Sequence, residues 1–332
     1  MNVLGIETSC DETSAAVVTD GRQVLSNIVS SSLSLHSKYG GVIPEIAFRM
    51  QMETIAQVVD TAMQEAGIRI NDVGLIAVTH QPGLLGSLLV GVSFAKGVHL
   101  ARGIPLLGVN HLYSHMYAPF VAGVATRFPF VGLIVSGGHT SLYLVKGFDS
   151  FELLGATQDD ACGEAFDKVA KILSLGYPGG PVIERRSLTG DPHRIAFKCC
   201  DTRQPFDFSF SGIKTAVLYC VQKHKKRGVL ARTIVDDICA SFQETAIEAL
   251  VHKSLAACKK KGVRRLVIGG GVAANSFLRD MFQKKAAGDK IEVYFPSKAL
   301  CMDNAAMVAG LGFQLFKKKQ RSDLFLTACS YS

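Results

Sequence analysis

LGIETSCDETSAAVV (residues 4–18) and GLIVSGGHTSLYLV (residues 132–145) carry one pattern twice: an apolar run, a turn rich in Ser, Thr, Gly and charge, then a second apolar run. Short apolar runs bounded by such turns read as strands, so each stretch predicts a hairpin. A turn of this composition presents backbone N–H groups and hydroxyls to a phosphate. One hairpin early in each half predicts a duplicated α/β chain with a nucleotide between two lobes.

The flanking segments fit that reading. Asp20-Gly21 marks a second turn, and residues 42–67 have a helical pattern. VGLIAVTH (73–80) reads as a buried strand, SLLVGVSFAKGVHLARG (87–103) as a helix and IPLLGVN (104–110) as another strand. Strands alternating with helices place the chain in the α/β class. Further on, RRLVIGGGVAANSFLRDMF (264–282) predicts a strand, a glycine turn and a helix. Those glycines let a backbone approach a ligand, and a helix N-terminus favours an anion. The spacing matches neither a P-loop nor a Rossmann fingerprint, and a simple tight turn explains it equally.

Composition narrows the class. The 332 residues are 48% hydrophobic and 19% charged, enough for one large or two medium domains. GLLGSLLVGVSFAKGVHLA (83–101) comes nearest to a membrane span, but Lys96 and His99 interrupt it. The opening MNVLGIETSC has no basic-then-apolar leader, so no signal peptide is expected. Nine scattered cysteines without a C-x-x-C pair predict reduced thiols and a cytoplasmic protein. The adjacent Cys199 and Cys200 read as ordinary small residues. A net charge of +8, with basic runs at 223–228, 259–265 and 316–321, points to a polyanion, nucleic acid first. Solvated helix ends explain the same runs, and no standard RNA-reading motif is present.

Three constellations suit chemistry. In GVNHLYSHMYAPF (108–120), His111 and His115 are four apart, on one helix face at a spacing that holds a metal. The H-E-x-x-H protease motif needs a glutamate where Leu112 stands. Asp303 in ALCMDNAAMVAGLGFQLF (299–316) offers a third ligand, although an acid there also suits a helix N-cap. The second group is Glu7, Asp11 and Glu12. Acids in a phosphate-facing turn work through a cation or as a base, or simply favour the turn. The third is Asp167 in DDACGEAFDKVAKILSLGYPGGP (159–181), an exposed helix charge or a buried acceptor of hydroxyl protons. Gly179 and Gly180 there predict a turn between prolines.

Nine blocks in order carry a wider resemblance: GIETSCDETSAAVV, HSKYGGVIPEIAFR, QPGLLGSLLVG, NHLYSHM, VSGGHTSL, the 159–181 block, FSFSGIKTAV, GGGVAANSFLR and CMDNAAMVAGLG. Together they span nearly the whole chain. The sequence resembles the bacterial tRNA adenosine threonylcarbamoyltransferases of the TsaD type, once called O-sialoglycoprotein endopeptidases. The resemblance implies the actin, Hsp70 and sugar-kinase (ASKHA) fold, two duplicated lobes with the ligand cleft between them. It implies an N-terminal lobe of 1–125 with about 298–332, and a C-terminal lobe of 126–297 with helical insertions. It also implies transfer of threonylcarbamoyl from threonylcarbamoyl-AMP to N6 of the adenosine 3′ of the anticodon, in tRNAs reading codons that begin with A.

By the same resemblance one divalent metal, Fe(II) or else Zn(II), sits on His111, His115 and Asp303. Substrate contacts fall on Ile134, Val135, Ser136, Gly137, Gly138, Asp167, Gly180 and Asn275, with ATP or ADP as other occupants. The amine proton goes to His139 or to an acid of the first hairpin, Asp11 or Glu12. Implied partners are tRNA, an inactive paralogue of the TsaB type and a small ATPase of the TsaE type, with no membrane. The chain departs from the family pattern at Gln51, where His is common, at Arg102 and Ser114, and at Thr79-His80 before QPG. The competing readings are a small-molecule kinase of the same fold, a metalloprotease and a non-catalytic ATP-binding scaffold.

Overall fold

The computed structural model describes residues 1–225 and 230–331. Two compact units emerge: Met1–Thr126 with Pro296–Ser332, and Arg127–Phe295. The first begins with β1 (Asn2–Glu7), β2 (Glu12–Thr19), β3 (Gln23–Ser31), a single-turn α1 (Leu33–His36) and α2 (Pro44–Glu65). It continues through β4 (Val73–Gln81), α3 (Leu85–Arg102), β5 (Leu106–Asn110) and α4 (His111–Val121). The strand order is β3-β2-β1-β4-β5. The first three strands are antiparallel, and β4 and β5 run parallel to β1. Both faces of the central strands are covered: Val3, Leu4, Ile6, Leu75, Ile76 and Val78 expose no surface. That is why these strands are almost continuously apolar. Leu4 and Ile6 pack with Ile55, Val58 and Ala62 of α2 and with Val92 and Ala95 of α3.

The second unit holds β6 (Phe130–Val135), β7 (Thr140–Gly147), β8 (Ser150–Ala156), α5 (Cys162–Ile172), α6 (Gly179–Ser187), α7 (Ser211–His224) and α8 (Arg232–Lys261). It ends with β9 (Arg265–Gly269), α9 (Ser276–Gly288) and β10 (Glu292–Tyr294). Its order, β10-β9-β6-β7-β8, repeats the first sheet: a hairpin, an antiparallel third strand and two parallel strands beside the first. The duplication expected from the two hairpins is therefore present strand for strand. Gly179 and Gly180 do not form a free turn; they open α6 behind Pro178. A Cβ on Gly179 would lie 2.5 Å from the Phe166 carbonyl oxygen, so the glycine lets α6 start against α5.

The chain then returns to the first unit as α10 (Ala305–Lys317). A Cβ on Gly5 would stand 2.2 Å from the Ala305 carbonyl oxygen, so the bare backbone of β1 lies against the backbone of α10's first turn. The Ala305 N–H donates to Ser14 Oγ (2.9 Å) and the Ala306 N–H to Asn27 Oδ1 (3.3 Å), which pins the helix start to the sheet. The N-cap is Asn304, whose side chain accepts from the Met307 N–H. The N-cap reading of Asp303 is thereby corrected.

Among the described residues no helix is long and apolar enough to cross a membrane, and the nine cysteines are free. Of the basic run 223–228, positions 226–228 lie outside the described residues. In the run 259–265, Lys259 pairs with Asp289 (2.7 Å), Lys261 pairs with Glu152 (2.9 Å) and Lys260 lies over the Phe206 ring.

Candidate functional site

In the first unit the site starts where β5 becomes α4. The Asn110 side chain accepts the Tyr113 N–H (3.2 Å) and so starts the helix at His111. The i,i+4 spacing then brings the His111 and His115 rings to 4.6 Å, with planes 79° apart. Ser114 between them donates to the Asn110 carbonyl (3.0 Å), so this departure from the family pattern is absorbed inside the helix. Arg102 is exposed in the last turn of α3. Asp303 Oδ1 lies 3.0 Å from His115 Nε2 and 3.7 Å from His111 Nε2. Donors bound at about 2.1 Å around a tetrahedral ion stand about 3.4 Å apart, a value these two distances straddle. The three donors lie within 4.8 Å of one another, so the group fits one divalent ion. His115 Nδ1 is buried without a partner among the described residues, so this ring addresses the cluster through Nε2 alone. The histidine side chains are 7% and 0% exposed against 18% for Asp303, which makes the carboxylate side the open one.

Glu7 does not face a phosphate. It is wholly buried at the end of β1. Its Oε1 accepts the Ser9 N–H (2.6 Å), and its Oε2 accepts the Thr79 hydroxyl (2.6 Å) and lies 3.1 Å from His111 Nδ1. Burial opposes its charge, but His111 beside it outweighs burial and holds the carboxyl below its ordinary range. Burial likewise opposes charge on His111, and Glu7 with Asp303 still raises it to about 9. Ser9 Oγ also lies 3.1 Å from His111 Nδ1, and the Thr8 hydroxyl donates to the Ser87 carbonyl (2.8 Å). The first turn therefore spends its hydroxyls inward, where a phosphate-facing turn was expected.

Asp11 is half-buried in that turn, and Glu12 begins β2. Burial, then the Asp303 and Asp11 charges, pushes the Glu12 carboxyl up to about 10. A cation among these acids would bring it back down. The turn is held by Gln51, which donates to the Cys10 and Glu12 carbonyls, both at 2.9 Å. The residue noted above only as a departure from histidine is thus a two-donor anchor.

In the second unit Ile134 and Val135 have fully buried side chains, so these positions offer only backbone. The Ser136 N–H donates to the His139 carbonyl (2.8 Å), and the His139 N–H donates to Ser136 Oγ (3.1 Å). Between them, a Cβ on Gly137 or Gly138 would meet nothing within 4 Å, so this turn is open where the first is closed. The Ser136 carbonyl also accepts the Gly163 N–H at the start of α5 (3.1 Å). Gly270, at φ +97°, brings its Cα against the Val135 carbonyl; a Cβ there would lie 2.4 Å from that oxygen. This glycine serves packing of the chain on itself, in line with the tight-turn reading, one of the two that its sequence left open.

Asp167 Oδ1 accepts the Gly179 N–H at the start of α6 (2.7 Å). Burial raises this carboxyl to about 6, against the Gly179 hydrogen bond and with help from Glu164. Asn275 caps α9 through the Leu278 N–H (2.9 Å) and donates to Gln243 Oε1 (2.9 Å). Gly180, beside the Asp167 contact, is open like Gly137. The first unit thus gathers His111, His115, Asp303, Asp11 and Glu12. The second carries the 134–139 turn against the start of α5, Asp167 and Gly180 at the start of α6, and Asn275 at the start of α9. Sequence reasoning passed over the backing of His111 by Glu7 and Ser9, and the hold of Thr79 on Glu7, which no spacing rule announces.

Comparison with known proteins bears on the family and the fold. The family described as TsaD: tRNA N6-adenosine threonylcarbamoyltransferase matches residues 23–310. A protein of that name from Thermosipho africanus (strain TCF52B) is 50% identical over 330 residues, covering 99% of this chain and 98% of its own. One from Syntrophus aciditrophicus (strain SB) is 48% identical over 330 residues, covering 99% and 97%. Among solved structures, full-length HypF in its phosphate- and nucleotide-bound form aligns at TM-score 0.60 and 14% identity, over 100% of this chain and 47% of that one. The Acidaminococcus fermentans (R)-2-hydroxyglutaryl-CoA dehydratase component A aligns at TM-score 0.55 and 14% identity, over 96% and 100%. These two likenesses identify the fold, the duplicated ASKHA type. The sequence likeness decides more: the chain belongs to the TsaD family of tRNA N6-adenosine threonylcarbamoyltransferases.

Proposed function

We propose that this protein carries out the reaction its family is named for, transferring threonylcarbamoyl from threonylcarbamoyl-AMP to N6 of the adenosine 3′ of the anticodon in tRNAs that read codons beginning with A. The observation that carries this reading is family membership over residues 23–310 together with the convergence of His111, His115 and Asp303. Those three side chains would hold one divalent cation, Fe(II) or Zn(II), since both accept two imidazoles and a carboxylate. Bound there, the ion supplies Lewis-acid polarisation of the threonylcarbamoyl carbonyl.

The rest falls to the chain's own groups. An exocyclic aromatic amine is a weak nucleophile, so positioning and carbonyl activation must supply most of the rate. The open backbone at Gly137 and Gly138 receives the phosphate or carbamate oxygens, flanked by the backbone of Ile134, Val135 and Ser136. Asp167 and Gly180 take the ribose hydroxyls and Asn275 borders the adenosine; ATP or ADP would occupy the same positions. The nitrogen of the amine forms its bond to the carbamoyl carbon, AMP leaves, and the amine proton passes to His139 or to Asp11 or Glu12. The protein works in the cytoplasm with a TsaB-type paralogue and a TsaE-type ATPase.

A metalloprotease reading has no support at Leu112, where the general-base glutamate of that motif belongs. The test is single-turnover transfer from purified adenylate to unmodified tRNA with the partner proteins supplied. Wild type forms threonylcarbamoyladenosine, and His111→Ala with His115→Ala slows transfer at least a hundredfold. A double variant at wild-type rate removes the metal role. Absence of product from wild type removes the proposed reaction.

A further inference from the structure

We infer that Glu7 is the positioning residue that commits His111 to the metal through Nε2, with Ser9 and Thr79 holding Glu7 in place. This rests on the metal reading of the His111, His115 and Asp303 cluster. The geometry is one-directional. Glu7 is fully buried, and every group around its carboxylate is a donor: the Ser9 N–H at 2.6 Å, the Thr79 hydroxyl at 2.6 Å and His111 Nδ1 at 3.1 Å. A carboxylate offers only acceptors, so His111 must carry its proton on Nδ1. Nε2, the atom that faces Asp303 at 3.7 Å, is then the nitrogen that gives up its proton and offers its lone pair when a metal binds. A buried carboxylate behind a ligating histidine fixes the ring and raises its basicity. His115 has no counterpart: its Nδ1 meets no partner among the described residues. The two histidines are unequal ligands, one oriented by charge and one by packing.

Glu7→Gln tests this because the amide can sit only one way. Its NH2 cannot face Ser9, whose backbone N–H is fixed and 2.6 Å away. The NH2 must therefore point to Thr79 and His111. The threonine hydroxyl can rotate to accept. The histidine can accept that NH2 only by moving its proton from Nδ1 to Nε2, which removes the lone pair the metal needs; if it keeps the proton, its remaining partner is Ser9 Oγ at 3.1 Å and the charge behind the ring is lost. The expected result is a 10- to 100-fold loss of metal affinity in a folded protein.

The experiment uses the full-length chain labelled with 15N-histidine and Zn(II) alone as the probe. In metal-free wild type, NMR is expected to show the His111 Nδ1 protonated; in Glu7→Gln that nitrogen is bare and Nε2 carries the proton. Chelator competition is expected to show tight zinc in wild type, 10- to 100-fold weaker zinc in Glu7→Gln and none in His115→Ala. Wild-type zinc affinity in Glu7→Gln, with zinc lost in His115→Ala, overturns the Glu7 role and leaves the metal reading standing. A wild type that takes up no zinc removes the metal reading and the ligand role with it. Should Glu7→Gln fail to fold, the wild-type spectrum decides, because a bare Nδ1 there overturns the inference.

Discussion

Gly5→Ala is the substitution that best tests how the fold sets the candidate metal centre. The new Cβ would stand 2.2 Å from the Ala305 carbonyl oxygen and 2.9 Å from Ala309 Cβ. A C–H···O contact rests at about 3.3–3.6 Å, so α10 must retreat by about 1 Å. Asp303 is two residues ahead of Ala305 and moves with it. A metal site tolerates about 0.2 Å in its ligand distances, so a 1 Å displacement of one ligand disables it. The retreat also stretches the 2.9 Å bond from the Ala305 N–H to Ser14 Oγ. Overpacking costs about 1–3 kcal/mol and the strained buried hydrogen bond about 1 more, or about 2–4 kcal/mol in all. Gly97→Ala is the control: it lies within α3, a Cβ there meets nothing within 4 Å, and a gain of up to about 1 kcal/mol is expected. Urea unfolding reads the stability and zinc competition against a chelator reads the site. A Gly5→Ala protein with wild-type midpoint and wild-type zinc affinity would refute the claim that the β1–α10 contact sets the position of Asp303.

Other sites yield sharper single numbers. Asp167 rises from an ordinary 3.8 to about 6. The folded chain therefore binds more protons than the unfolded chain across that window, and stability falls as pH rises through it. The rise corresponds to at most about 3 kcal/mol, and water at the half-buried carboxylate reduces this to about 1–2 kcal/mol. Asp167→Asn keeps an acceptor for Gly179 and should be more stable than wild type by that amount at pH 7.5 but not at pH 4; a difference flat in pH refutes the assignment. Gly270→Ala places a Cβ 2.4 Å from the Val135 carbonyl at φ +97°, and calorimetry should register a loss of at least about 3 kcal/mol. Gly137→Ala should leave stability within about 0.5 kcal/mol, because a Cβ there meets nothing, and still lower kcat/KM for transfer if the proposed substrate contact at this backbone is right. Gln51→His replaces two donors by one, so one buried carbonyl loses its partner and stability falls by about 1–2 kcal/mol in urea unfolding.

The parts legible in advance share one property: neighbours in space are neighbours in sequence. The 4–18 and 132–145 hairpins follow from period, turn residues and a run short enough to close locally. The helix carrying His111 and His115 follows from their spacing and from Asn110 as its cap. Glycine pairs were less legible. The pair at 179–180 looked like a turn, yet it opens a helix whose place depends on Phe166 of α5, thirteen residues away. Gly270 read equally as a ligand-facing or a tight-turn glycine, and its close neighbour is the Val135 carbonyl.

The amino-acid sequence by itself determined the α/β class, the duplication, the family and the paired histidines. It did so because short-range periodicity and block order survive without coordinates. Only the tertiary structure decided that Asn304, not Asp303, caps α10, and that this frees the Asp303 carboxylate to reach within 3.0 Å of a histidine 188 positions away. It also decided that Glu7 backs His111 while Glu12 sits among acids at the same cluster. The physical reason is that these contacts depend on how closely α10 and α4 lie on one sheet. That closeness is set by a glycine on β1 and a serine on β2, and no pattern along the chain records it.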